Sequence, residues 1–156
     1  MNKIMRALIV EDDKKWQKWL GALLEKLGFM VDLEDSPNPR LHPIDGTYTL
    51  ALIDVSLLPT HKDQLGVKVS RKLKQESPET FVILLSAFIG SESAMAEVLS
   101  NGMADEVIIK DQLDSNDDVG ESNLLIETLR NWKIPIQEAE FLGGRAESAW
   151  KQAALA

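Results

Sequence analysis

Four apolar runs in this chain end in residues that can handle a metal ion or a phosphoryl group: Glu11 and Asp12 after "ALIV", Asp54 after "LALI", Ser86 after "FVILL", and Lys110 after "VII". Two or three carboxylates can hold one Mg2+, an ion that prefers oxygen ligands and keeps several of its waters. A carboxylate beside such an ion can itself attack a phosphoryl group, and Asp54, alone at its strand end, suits that role. A hydroxyl such as Ser86 and an ammonium such as Lys110 can then partner the phosphoryl oxygens. The stretch "LIVEDDKKW" is the most informative of the set, because its three adjacent acids repel one another unless a cation intervenes. Helix capping accounts for Asp13, which stands at the start of a helical stripe, but not comfortably for all three.

Residues so far apart in sequence must be gathered by the fold. The runs at 7–10, 30–33, 50–53, 81–85 and 107–109 have strand length, and most are continuous rather than alternating, as in a parallel sheet buried on both faces. Between them lie segments of helical period. Trp16, Trp19, Leu20, Leu23, Leu24 and Leu27 form one stripe, with Gly28 as its stop. Further helices are expected over about 66–75, 91–100 and 123–132. The alternation predicts an α/β fold, a parallel sheet covered on both sides, whose strand carboxyl ends open into a single crevice. In the second connection Pro37, Pro39 and Pro43 remove backbone donors, so a short or irregular helix is expected there.

Composition narrows the classes. The chain has 156 residues, 44% hydrophobic and 27% charged, which suits one globular domain. With no cysteine, disulfides, thiolate metal sites and a cysteine nucleophile are excluded, and with only His42 and His61 a histidine-rich zinc site is not expected. A net charge of -8 without a Lys/Arg cluster argues against nucleic-acid binding. No run is long enough to cross a bilayer and no signal pattern opens the chain, so a cytoplasmic protein without membrane partners is expected.

The ordered set "LIVEDD", "LALID", "LLSA" and "ADEVIIK" resembles the receiver domain of bacterial two-component response regulators, over about residues 4–132. The resemblance implies a flavodoxin-like doubly wound five-stranded parallel sheet of order 2-1-3-4-5. It makes Glu11 and Asp12 the metal-binding acids, Asp54 the phosphoacceptor, Ser86 and Lys110 the partners of the phosphoryl group, and the Ser56 backbone carbonyl a further Mg2+ ligand. It implies a signalling domain rather than an enzyme. A sensor histidine kinase or phosphotransfer protein would be the phosphodonor, with output through protein contacts or a homodimer. Residues 1–132 form the receiver in this reading, and 133–156 a C-terminal helical extension in which Trp150 and Phe141 fold back. No DNA-binding output domain fits within those last residues, so a stand-alone receiver is expected.

Several positions depart from the family's pattern. Asp111 follows Lys110 where proline is usual, and Val107 occupies the place of the aromatic switch residue, so a coupled hydroxyl and aromatic switch cannot work in its usual form. Pro59 comes one place late, and "THKDQL" lengthens the path to Gly66, bringing His61 and Lys62 toward the crevice as recognition residues. Phe88 is placed to shield the phosphoryl group. These departures motivate an alternative, an unphosphorylated interaction module on the same fold. A haloacid-dehalogenase-type phosphatase ranks below both, because Ser56 stands where that family has a second aspartate. A flavodoxin ranks lower still, since the first loop is acidic where a phosphate cradle should offer donors.

Overall fold

A computed structural model describes residues 4–36, 39–43, 46–55, 65–86, 96, 98–113 and 123–137. The strands are β1 (Met5–Val10), β2 (Phe29–Glu34), β3 (Leu50–Asp54), β4 (Phe81–Ser86) and β5 (Glu106–Ile109). They form one parallel sheet of order β2-β1-β3-β4-β5, with Asp54 beside Leu85 and Ser86 beside Ile109. The three central strands are apolar almost throughout, because both faces of the sheet are covered. On one face, Ala7, Ile9, Leu50, Leu52, Ile83 and Leu85 pack with leucines of α1 (Lys14–Lys26) and α3 (Asn123–Asn131). On the other, Leu8, Val10, Ala51, Ile53, Val82 and Leu84 meet Val69 and Leu73 of α2 (Leu65–Glu76). β2 differs: it lies at the sheet edge, where only Phe29 is buried and Met30 and Leu33 are half exposed.

α1 begins where its sequence says it should. The Asp13 carboxylate accepts from the backbone N–H groups of Lys15 (2.8 Å) and Trp16 (3.3 Å), a cap whose loss costs about 1 kcal/mol. Gly28 ends the helix at φ +99°, a conformation strained for any residue with a side chain. Nor is there room for one: a Cβ there would lie 2.6 Å from the Gln137 side chain.

The slot between β2 and β3 holds no helix among its described residues. Leu41 and Tyr48 plug the sheet face instead, both buried, with the Tyr48 hydroxyl donating to Asp32 at 2.6 Å. Burial and the neighbouring Asp32 carboxylate push the Tyr48 phenol well above its ordinary pKa. In the expected 91–100 helix, Ala96 and residues 98–100 are helical, and the remainder lies outside the described residues. After α3 the described residues 132–137 run back along the domain without helix: Ile134 and Ile136 pack on the core, and the Gln137 N–H donates to the Leu27 carbonyl at 2.9 Å. The helix expected beyond, with Phe141 and Trp150, lies outside the described residues.

Candidate functional site

The parallel register brings the ends of β1, β3 and β5 together. Glu11, the residue after β1, is 1% exposed, and Asp54, the last of β3, is 5% exposed. Asp12 is exposed. One carboxylate oxygen from each lies within 4.8 Å of those of the other two. Lys110, the first residue of a 3-10 turn (Lys110–Leu113) directly after β5, reaches into this group and is itself buried. Its Nζ lies 2.9 Å from Glu11 Oε2, 3.1 Å from Glu11 Oε1 and 3.4 Å from Asp54 Oδ1. The hydrogen bond goes to Oε1. Oε2, also buried, is the nearer of the two oxygens and is paired with the ammonium's charge.

Among the described residues three carboxylates thus gather beside one ammonium, and the two buried ones, Glu11 and Asp54, are costly to keep charged without positive partners. Burial pushes the Glu11 carboxyl up to about 7. Its hydrogen bond from Lys110 opposes that shift, and the Asp54 charge adds to it. The donor set fits a small hard divalent cation: it is all oxygen, the three carboxylates converge within 4.8 Å, and two of them are buried.

Glu11 is held from several sides. Its N–H donates to the Glu34 carbonyl at 2.9 Å, its Oε1 accepts from the Asp13 N–H at 3.2 Å, and the buried Gln17 side-chain amide donates to its backbone carbonyl. Gln17 was not singled out in the sequence. Its signal is a polar residue at helical spacing from Leu20 and Leu24, on the face that should be apolar. Backbone hydrogen bonds fix the end of β3: the Val55 N–H donates to the Leu85 carbonyl at 2.8 Å, and the Gly66 N–H to the Val55 carbonyl at 2.9 Å. Gly66 packs so closely that a Cβ would lie 1.8 Å from the Asp54 carbonyl oxygen.

Ser86 ends β4 half-buried, between the strands that carry Asp54 and lead to Lys110. Ser56, His61, Lys62 and Phe88 lie outside the described residues. Val107 is partly buried against Leu84 and the second core cluster, and the Lys110–Asp111 peptide is trans.

The sequence matches the family model "Response regulator receiver domain" over residues 7–116. The transcriptional regulatory protein CusR of Escherichia coli is 34% identical over 107 residues, covering 68% of this chain and 44% of CusR. The curated relatives it matches are longer, and the chain spans between 36% and 44% of their length. A CheY-like receiver domain protein from Methanospirillum hungatei superposes with a TM-score of 0.64 at 20% identity, covering 83% of this chain and 93% of the other. The regulator TrrA from Thermotoga maritima, solved with Mg2+ and BeF, gives 0.59 at 21% identity, covering 82% and 98%. At such identities these structures speak for the fold, whereas the family match spans most of the sequence. The chain belongs to the response regulator receiver domain family of two-component systems.

Proposed function

We propose that this receiver takes a phosphoryl group on Asp54 in a Mg2+-dependent reaction, from a phosphohistidine of a sensor histidine kinase or phosphotransfer protein. The observation that supports it best is the convergence of the Glu11, Asp12 and Asp54 carboxylates, each with an oxygen within 4.8 Å of the others', beside the buried Lys110 ammonium. Glu11, Asp12 and Asp54 would hold the cation, joined on the family's pattern by the Ser56 carbonyl. Mg2+ supplies positive charge against which the phosphoryl oxygens can approach three acids. An Asp54 oxygen attacks phosphorus, the bond from phosphorus to the imidazole nitrogen breaks, and that nitrogen takes up a proton. Lys110 then leaves its carboxylates for a phosphoryl oxygen, and the Ser86 hydroxyl donates to another.

The unit extends over residues 1–132, with 133–156 as an appended segment whose first residues pack on α1. Curated relatives are named transcriptional regulatory proteins. This domain, at -8 and without a basic cluster, suits output by protein contact rather than its own contact with nucleic acid. Among the described residues no helix is long and apolar enough to cross a membrane, and the role belongs in the cytoplasm. Incubation with Mg2+ and a small phosphodonor should add one phosphoryl group to the intact mass, and none to Asp54→Ala. An unchanged wild-type mass, or equal labelling of the variant, overturns the reading.

Val107 motivates a second reading, since a half-buried aliphatic side chain offers no ring to rotate. An interaction module that binds neither Mg2+ nor phosphate would show no heat on Mg2+ titration, whereas the phosphoacceptor reading expects binding that is lost in Asp12→Ala.

A further inference from the structure

Lys110 has a third neighbour besides its two acids. Its Nζ stands 5.1 Å from the centroid of the Trp16 ring, within the roughly 6 Å over which an ammonium is attracted to an indole face. Trp16 is fixed from three sides: the Asp13 cap holds its backbone N–H, the first core cluster packs against it, and Trp19 meets it nearly perpendicular with centroids 5.6 Å apart. Helical spacing alone explains the contact with the core, but not the cation placed over the ring.

We propose that Trp16 is a positioning residue for Lys110, its indole face keeping the ammonium in the crevice while the carboxylates change partners. This rests on the phosphoacceptor reading. In the resting site the ammonium is held by Glu11 and Asp54, two of the carboxylates that the cation and the phosphoryl group would claim. A lysine held only by those acids would be released into solvent when they turn away, and its long side chain would have to be ordered again. The indole competes for neither metal nor phosphoryl oxygen. It keeps the ammonium near the position that the phosphoryl oxygens come to occupy, and because the site is largely desolvated the attraction is stronger than on an open surface.

The test compares wild type, Trp16→Phe and Trp16→Leu in Mg2+ affinity, in phosphotransfer rate from a small phosphodonor at saturating Mg2+, and in the NMR shifts of the Lys110 ε-methylene. Trp16→Leu should slow phosphotransfer about tenfold while its Mg2+ affinity stays within about threefold of wild type. Trp16→Phe, which keeps an aromatic face, should recover most of the rate. The Lys110 ε-protons should be ring-current shifted upfield in wild type and return to ordinary values in Trp16→Leu. Retained Mg2+ binding shows that a variant is folded, and if Trp16→Leu does not fold, Trp16→Met takes its place. A wild-type rate in Trp16→Leu, a Trp16→Phe as slow as Trp16→Leu, or unshifted Lys110 protons in wild type each overturns the proposal. A wild type that accepts no phosphoryl group overturns the underlying reading instead, an outcome recognisable because all three proteins then behave alike.

Discussion

Two lysine and carboxylate assemblies lie at opposite ends of the same sheet, and they are built in opposite ways. At the end where the strands begin, Lys74 of α2 donates to the Pro78 carbonyl (2.8 Å), the Thr80 carbonyl (3.0 Å) and Asp105 Oδ2 (3.0 Å). Asp105 accepts in addition from the Val82 N–H at 2.8 Å. One ammonium with three acceptors meets one acid with two donors, and the group ties α2, β4 and the entry to β5 together. At the end where the strands finish, Lys110 serves two buried acids, Glu11 and Asp54, with the exposed Asp12 close by. The first assembly is complete and structural. Among the described residues the second gathers more acid than base, as a site that takes up a cation would.

The largest effect in breaking this contrast should come from Gly66→Ala. Its Cβ would collide with the Asp54 carbonyl, backbone that cannot swing aside. A loss of about 3 kcal/mol or more in unfolding free energy is expected, together with phosphotransfer, and denaturant melts with parallel labelling measure both. Next comes Asp105→Ala, which removes acceptors from Lys74 and Val82. It should cost roughly 1–3 kcal/mol of stability while leaving Mg2+ affinity unchanged, and calorimetry on the variant checks that separation.

The pH dependence sharpens the comparison at the other end. Because Glu11 is raised to about 7, Mg2+ must displace a proton below that pH, so its apparent affinity should fall about tenfold between pH 8 and pH 6. In Mg2+-free buffer a raised carboxyl favours the folded state at low pH. That contribution is complete below the ordinary value of 4.5 and is lost as pH rises through about 7. The smallest effect follows: Glu11→Gln should melt slightly above wild type at pH 8 without Mg2+, with the difference shrinking by pH 5, while its Mg2+ binding is lost. Melting curves at the two pH values decide the sign.

Much of this was legible in the sequence, and the rest was not for physical reasons. The buried strands are continuous apolar runs because both faces of the sheet are covered, so their number and positions could be read directly. The terminal acids, hydroxyl and lysine could then be placed in one crevice without any side-chain geometry. The Asp13 cap was readable because capping is local. Three features depend on tertiary approach and leave weaker marks. Gly66 reads as the first residue of a helix until the β3 carbonyl is placed beside it. Gln17 reads as one polar residue in a tryptophan-rich stripe, although it braces Glu11. Trp16 reads as core, because periodicity reports which face of a helix is buried and not what lies across it. The proline-rich slot was legible as a place where a regular helix fails, but not as one that Tyr48 and Leu41 fill.

The most direct test of the central claim is to locate the phosphoryl group. An aspartyl phosphate is an acyl phosphate, which borohydride reduces to homoserine at the modified residue. After treatment with Mg2+ and a phosphodonor, peptide mass spectrometry should find homoserine at position 54 alone, and nowhere when Mg2+ is chelated. Homoserine at Asp12, the longer alcohol 2-amino-5-hydroxyvaleric acid at Glu11, or labelling that is indifferent to Mg2+ would contradict the account.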